Sequence, residues 1–141
     1  MITYFDTNVL IAACRADHVH HEASYTALSH ARPGEAACSL HSLAEMYAVT
    51  TGMPARARLS PAEASIFLNQ IRNHCTLVSL TEAEYSATIE DLALRQLTGG
   101  LVYDALLLAC ARKCEADRIL THNVRHFQRI APDLADRIVA P

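Results

Sequence analysis

Residues 2–14 read ITYFDTNVLIAAC, and this stretch sets the beginning of the fold. Its first four residues, 2–5, are apolar and β-prone, which predicts a buried strand. Asp6, Thr7 and Asn8 then form a polar turn, and the apolar run over residues 9–14 predicts a helix. The chain therefore starts as strand, turn and helix, with a carboxylate directly after the first strand.

The rest of the chain alternates between helical and strand patterns. Ser60 and Thr81 each begin a capping box, with Glu63 and Glu84 three residues later. Further strands are predicted at about residues 35–39, 76–80, 117–121 and 137–139. Further helices are predicted at about residues 21–30, 40–50, 61–73, 82–97, 101–114 and 125–130. We therefore expect a single α/β domain over residues 1–141, with a central, mainly parallel sheet of four or five strands covered on both faces.

Composition limits the possible partners and compartments. Twelve basic against fifteen acidic residues give a formal charge of −3, so any contact with nucleic acid must be local rather than a general property of the surface. The N-terminus has no basic region before an apolar segment, and no stretch has the pattern of a membrane span. Five cysteines without a CxxC pair are typical of buried thiols in a reducing compartment, and we expect the cytoplasm.

Three carboxylates are the only charged side chains in long uncharged stretches. Asp6 is alone between residues 1 and 14, Glu45 between residues 36 and 55, and Asp104 between residues 96 and 111. An ionised carboxylate in apolar surroundings is costly unless it is paired, hydrogen-bonded or bound to metal, and no basic residue is available nearby in the sequence. Each acid alone could equally lie on an exposed helix stripe or at a helix N-terminus. The three together favour a shared site.

The predicted positions of these acids converge. Asp6 ends the first strand, Asp104 lies in the first turn of a helix, and Asn123 follows the last long strand. Open α/β sheets bind their ligands at this carboxyl edge, and Glu45 would reach it from the third helix. Hard oxygen ligands of this kind suit Mg²⁺ or Mn²⁺. The sequence thus predicts a divalent-metal site at the edge of the sheet.

The same segments resemble the PIN domains, most closely their VapC-like toxin branch. The matching stretches are residues 4–10 (YFDTNVL), 42–49 (SLAEMYAV), 102–106 (VYDAL) and 117–127 (DRILTHNVRHF). Together they span the chain in order. The resemblance implies a PIN-like three-layer α/β/α fold, a metal-dependent endoribonuclease acting on RNA, a cognate antitoxin protein as partner, and a homodimer.

The resemblance also implies roles for individual residues. Asp6, Glu45 and Asp104 would hold one or two Mg²⁺ or Mn²⁺ ions, with Asn123 completing the site directly or through water. Metal would lower the pKa of a bound water, so hydrolysis would need no nucleophile from the protein. Two hydroxyls would support the site: Thr7 and Thr121. The sequence departs from the acid-richest versions of the family at two positions, Asn123 and His126.

Four arginines are candidates for contacts with the RNA backbone. Arg56 and Arg58 lie in the loop after the third helix, and Arg125 and Arg129 lie on the short helix beside the proposed site. Ordinary solubilisation of the surface is an equally good explanation for any one of them.

Histidines are the remaining groups with possible chemistry. His18, His20 and His21 form a cluster that, with His122 and His126, could suggest zinc. The spacing matches no compact zinc motif, and we predict a solvated loop for the cluster instead. Cys110 and Cys114 are four residues apart on an apolar helix, which favours packing in the core.

Two other functions compete with the nuclease. A haloacid-dehalogenase-like phosphatase or a receiver domain also has an aspartate after a strand, but both use a lysine near the site, and Lys113 lies within a helix. Asn8 also stands where the phosphatase pattern has its second aspartate. The stronger alternative is a catalytically weak or inactive PIN-like module for RNA binding or protein interaction, which Asn123 and the acidic charge favour and the three carboxylates oppose.

Overall fold

Five short parallel strands form the central sheet. The computed structural model describes residues 1–141. The strands are β1 (Thr3–Phe5), β2 (Ala36–Ser39), β3 (Thr76–Val78), β4 (Arg118–Leu120) and β5 (Ile138–Val139). Their spatial order is β3-β2-β1-β4-β5, and every neighbouring pair is parallel. The predicted parallel sheet is therefore confirmed, with five strands.

Seven α-helices connect and cover the strands. They are α1 (Thr7–Cys14), α2 (His21–His30), α3 (Leu40–Thr51), α4 (Pro61–His74), α5 (Glu82–Leu94), α6 (Leu101–Lys113) and α7 (Val124–Ile130), and a 3₁₀ helix (Pro132–Arg137) precedes β5. Both predicted capping boxes are present, at the starts of α4 and α5. Helix α5 ends three residues earlier than predicted, and Gln96 just beyond it has a left-handed backbone (φ 55°) that cannot continue a right-handed helix.

The strands divide the apolar side chains between two cores. Because successive side chains of a strand point to opposite faces, Tyr4 of β1 packs in the core beneath α5, α6 and α7, and Phe5 packs in the core beneath α1, α3 and α4. Ile119 and Leu120 of β4 divide in the same way. Two cores on the two faces of one sheet make a three-layer α/β/α fold, as predicted.

The connectivity places a switch point at the centre of the sheet. In the sheet, β2 and β3 follow β1 on one side, and β4 and β5 follow β1 on the other side. At such a point the connections leaving two adjacent strands run to opposite faces, which opens a crevice at the carboxyl ends of those strands. The crevice here lies between the ends of β1 and β4.

The cysteines are unpaired and mostly buried, and no helix is suited to cross a membrane. All five cysteines are free; Cys38, Cys75 and Cys110 are buried, and Cys14 and Cys114 are half-buried. Packing in the core accordingly describes Cys110 fully and Cys114 only in part. None of the helices combines the length and the apolar character needed to cross a membrane.

Candidate metal and RNA site

Asp6 lies at the switch point because it is the residue that joins β1 to α1. Its backbone N–H donates to the carbonyl of Leu120 at 2.9 Å, which ties it to the end of β4. Asp6 is the N-cap residue of α1, yet its carboxylate makes no capping hydrogen bond. Instead Oδ2 accepts a hydrogen bond of 2.7 Å from the hydroxyl of Thr121. The buried carboxylate thus faces the crevice edge rather than the helix that follows it.

The charges of Asp104 and Glu45 act on the carboxyl group of Asp6. Burial raises the pKa of Asp6 to about 7; the hydrogen bond from Thr121 lowers it, and the nearby charges of Asp104 and Glu45 raise it. Burial also raises the pKa of Asp104, against the effect of His126. Asp104 and Glu45 therefore lie near enough to Asp6 for their charges to act on it, and a cation beside Asp6 would oppose that effect.

Two of the acids have histidine partners that sequence reasoning missed. His126 Nδ1 lies 2.8 Å from Oδ2 of Asp104, and His41 Nε2 lies 3.2 Å from Oε1 of Glu45. The stretches around these acids contain no Lys or Arg, but two of the acids have a histidine beside them in the fold. The His41 pair could have been found, because residues four apart share a helix face; the His126 pair joins α6 to α7 and has no local signal.

The two threonines make different contacts, and of their hydroxyls only that of Thr121 contacts a predicted site residue. Thr121 is fully buried, and besides donating to Asp6 its hydroxyl accepts a hydrogen bond of 3.0 Å from the backbone N–H of Asn123. The Thr7 hydroxyl donates to the hydroxyl of Ser42 at 2.8 Å, also in the interior. This second bond ties α1 to α3 one turn before Glu45.

Asn123 is the outermost member of the predicted set. It is exposed at the N-terminus of α7, and its side chain makes no hydrogen bond there. No three His, Cys, Asp or Glu side chains of the chain stand close enough together to hold one ion. The donor chemistry nevertheless fits Mg²⁺ or Mn²⁺, since carboxylate and amide oxygens are the ligands these ions prefer.

The four arginines predicted to contact RNA are all exposed. Arg125 and Arg129 lie on α7, which begins next to Asn123. Arg56 and Arg58 lie in the loop between α3 and α4, where Arg58 Nε donates to the carbonyl of Met53 at 2.9 Å. Contact with RNA stays a prediction for all four.

The expected solvated loop is confirmed for His20, which is exposed in the loop before α2, whereas His18 in the same loop is half-buried and His21 is helical. His21 is the first residue of α2, and its Nδ1 lies 2.9 Å from the carbonyl of Ala12. The rings of His18 and His20 instead lie against the ring of His122, with centroids 6.3 and 4.4 Å away. Because His122 follows β4, about a hundred residues later in the chain, the sequence contains no signal for this grouping.

Comparison with known proteins adds independent observations to this geometry. The family model described as "PIN domain" matches residues 3–132. Ribonuclease VapC27 of Mycobacterium tuberculosis is 35% identical over 112 residues, which cover 79% of this chain and 78% of the relative.

Two solved structures share the fold. One is Mycobacterium tuberculosis VapC20, a Sarcin-Ricin loop cleaving toxin, with a TM-score of 0.69 and 18% identity; the match covers 92% of this chain and 95% of that one. The other is VapBC-1 from nontypeable Haemophilus influenzae, with a TM-score of 0.68 and 20% identity, covering 99% and 98% of the two chains.

Proposed function

This chain belongs to the PIN-domain family, and we propose that it is a Mg²⁺-dependent endoribonuclease that acts as the toxin of a toxin–antitoxin pair. One observation carries the proposal: Asp6 is a buried carboxylate at the β1/β4 switch point, and the charges of Asp104 and Glu45 lie near enough to raise its pKa. The relative VapC27 is a ribonuclease by name, and VapC20 is a toxin that cleaves RNA of the Sarcin-Ricin loop. Both support the same chemistry for this chain.

The residues that would hold the ion are Asp6, Asp104 and Glu45, with Asn123 at the rim. When bound, Mg²⁺ or Mn²⁺ supplies Lewis-acid stabilisation of phosphoryl oxygens and lowers the pKa of water. The fit rests on the hard oxygen donors and on Asp6 itself, a buried carboxylate for which one hydroxyl is the only side-chain partner.

The chain's own groups position this site. Thr121 holds the carboxylate of Asp6 in one orientation, and the Thr7–Ser42 hydrogen bond fixes the approach of α3, from which Glu45 projects. His126 and His41 lie beside the carboxylates of Asp104 and Glu45, at 2.8 and 3.2 Å. Arg125 and Arg129, exposed beside this edge, are suited to hold the RNA backbone through bidentate contacts with phosphate.

Protein partners are part of the same proposal. The Haemophilus influenzae relative is a VapBC assembly, which supports a cognate antitoxin for this chain. Large apolar side chains remain exposed on several helices, and they are the type of surface that an antitoxin or a second copy of the chain would cover. The most exposed of those on helices are Leu94, Tyr103, Ile66 and Tyr25. A cytoplasmic location is proposed from the five free thiols.

The decisive experiment measures cleavage of single-stranded or loop RNA. We expect cleavage in Mg²⁺ or Mn²⁺, none in excess chelator, and none by Asp6→Asn or Asp104→Asn, each of which should still fold by circular dichroism. Asp136→Asn, which changes an exposed acid far along the chain in the 3₁₀ helix, is the matched control and should cleave normally. Full activity of either site variant in metal-free buffer would refute the metal mechanism.

A catalytically weak or inactive PIN-like module remains the second candidate. The pairing of Asp104 and Glu45 with histidines, together with an uncharged Asn123, favours it. Calorimetric titration with Mg²⁺ separates the two functions: the nuclease requires saturable binding that Asp6→Asn abolishes, whereas the inactive module predicts RNA binding without it.

A further inference from the structure

Three histidine rings form a compact group beside the catalytic edge. The rings of His20 and His122 are 4.4 Å apart between centroids and inclined by 21°, which is a stacked arrangement. The ring of His18 completes a triangle, at 5.7 Å from His20 and 6.3 Å from His122. We call these three residues the histidine platform.

The platform is held in place by groups beneath it. His122 Nε2 lies 3.1 Å from the hydroxyl of Ser24, which is fully buried in α2, and the backbone N–H of His122 donates to Oδ1 of Asn8 at 3.4 Å. His18 Nδ1 accepts a hydrogen bond of 3.0 Å from the backbone N–H of His20. Two rings are therefore anchored and half-buried, while His20 remains exposed to solvent.

The position of the platform connects it to the proposed site. His122 stands between Thr121, which holds Asp6, and Asn123. On its other side His20 lines a groove of about 730 Å³ between α2 and the sheet, where Thr3 of β1 and Leu120 of β4 also line it. A nucleotide bound at the catalytic edge could thus place a neighbouring base against His20.

We propose that the histidine platform is a subsite on which an unstacked base of the RNA substrate stacks next to the cleaved phosphate. Imidazole rings are among the groups on which proteins stack single-stranded bases, and stacking tolerates any base because every base has a π-face. This inference rests on the proposed nuclease function.

A metal site is the less suitable explanation for the same three residues. The rings of His20 and His122 lie nearly face to face, so their nitrogens do not converge on one point, and no three potential ligands in the chain are placed to hold an ion. Burial lowers the pKa of both His122 and His18, and His20 acts in the same direction.

The test measures binding of a short fluorescein-labelled, single-stranded RNA by anisotropy in the cleavage-blocked Asp104→Asn background. His20→Ala removes the exposed ring, His20→Lys introduces a charged group without a ring, and His20→Phe keeps a flat ring that cannot carry a charge. We expect the Ala and Lys variants to weaken binding at least about five-fold and the Phe variant to restore it. Tyr25→Ala, which removes an exposed aromatic ring on the same helix that does not line this groove, should bind normally.

A second arm locates the base. Each nucleotide of the RNA is replaced in turn by an abasic ribose, and binding is measured with the His20 protein and with His20→Ala. At the position whose base stacks on His20, we expect the abasic RNA to bind both proteins equally well. Restoration by Lys and not by Phe, equal binding by all His20 variants, or loss of binding that depends on added Zn²⁺ would each overturn the platform. Failure of the nuclease proposal is distinguishable, because it appears as absent cleavage of this RNA by the wild-type chain in Mg²⁺.

Discussion

The hydroxyl of Thr121 donates a hydrogen bond of 2.7 Å to Oδ2 of Asp6, across 115 residues of sequence. It joins the carboxyl ends of β1 and β4 at the switch point of the sheet. Both residues are buried, and this hydrogen bond is the largest effect that opposes burial in setting the pKa of Asp6; the backbone of Thr7 acts in the same direction. The ionisation of Asp6 therefore depends on Thr121.

Replacing the hydroxyl tests that dependence. Thr121→Val should raise the pKa of Asp6 further above about 7, because the hydrogen bond lowers it. Less Asp6 is then ionised at neutral pH, so RNA cleavage should fall and the midpoint of its pH profile should move upward. Thr121→Ser keeps the donor and should retain the wild-type midpoint. An unchanged midpoint in the valine variant would show that Thr121 does not control this carboxylate.

The buried charge of Asp6 should cost stability in the metal-free protein. Its pKa is about 7 when folded against 3.8 for an unperturbed carboxyl, so the folded state binds the proton more tightly and loses stability as pH rises from about 4 to 7. The shift corresponds to at most about 4 kcal/mol. Asp6→Asn lacks this loss. In chelator, the free energy of unfolding of this variant should therefore increase relative to that of the wild type between pH 5 and pH 8.

Urea unfolding at the two pH values measures the difference. Added Mg²⁺ should reduce the advantage of Asp6→Asn, because the ion stabilises only the chain that binds it. A constant difference between the two proteins across this pH range would contradict the raised pKa.

Asn123 is the uncharged member of the proposed metal site, and substitutions there test its contribution to Mg²⁺ binding. Asn123→Asp should tighten Mg²⁺ binding, because an amide oxygen lacks the negative charge that attracts a dication, and Asn123→Ala should cost less activity than Asp104→Ala. The fourth carboxylate should also destabilise the metal-free fold and make the melting temperature more dependent on metal. Calorimetry and thermal melts measure both effects. Unchanged or weaker binding by Asn123→Asp would place Asn123 away from the ion.

His126 should compete with the ion for Asp104. His126→Ala frees a carboxylate that now lies 2.8 Å from the imidazole, so Mg²⁺ binding at pH 8 should become tighter. The measurement belongs at high pH because His126 also lowers the pKa of Asp104, and its removal favours the protonated acid at low pH. His41→Ala likewise removes the histidine beside Glu45 and should also tighten Mg²⁺ binding at pH 8. Weaker binding at pH 8 would instead make His126 part of the metal site's support.

The oligomeric state follows from the uncovered apolar surface. We expect light scattering to give twice the 15.5 kDa mass of one chain, because helices that expose large apolar side chains gain by covering them. Addition of a cognate antitoxin should increase that mass further. A monomeric mass at high concentration would count against the homodimer.

The sequence by itself determined the order of elements, the parallel sheet and the identity of the three acids. Local patterns in the sequence predict these features: apolar runs between polar turns, the capping boxes at Ser60 and Thr81, and single carboxylates in uncharged stretches. Parallel topology then sends Asp6 and Asn123 to one edge of the sheet, since strands that run the same way end on the same side. The ends of elements were less accurate, as at α5.

Only the tertiary structure decided which side chains contact one another around the predicted site. The contacts of Asp104 with His126, of Thr7 with Ser42, and of Ser24 with His122 each join different elements, over sequence separations of up to 98 residues. The histidine platform likewise exists only because α2 packs beside the end of β4. Such contacts depend on how elements pack and which side chains then lie opposite each other, and the periodicity within one element carries no information about the residues of another.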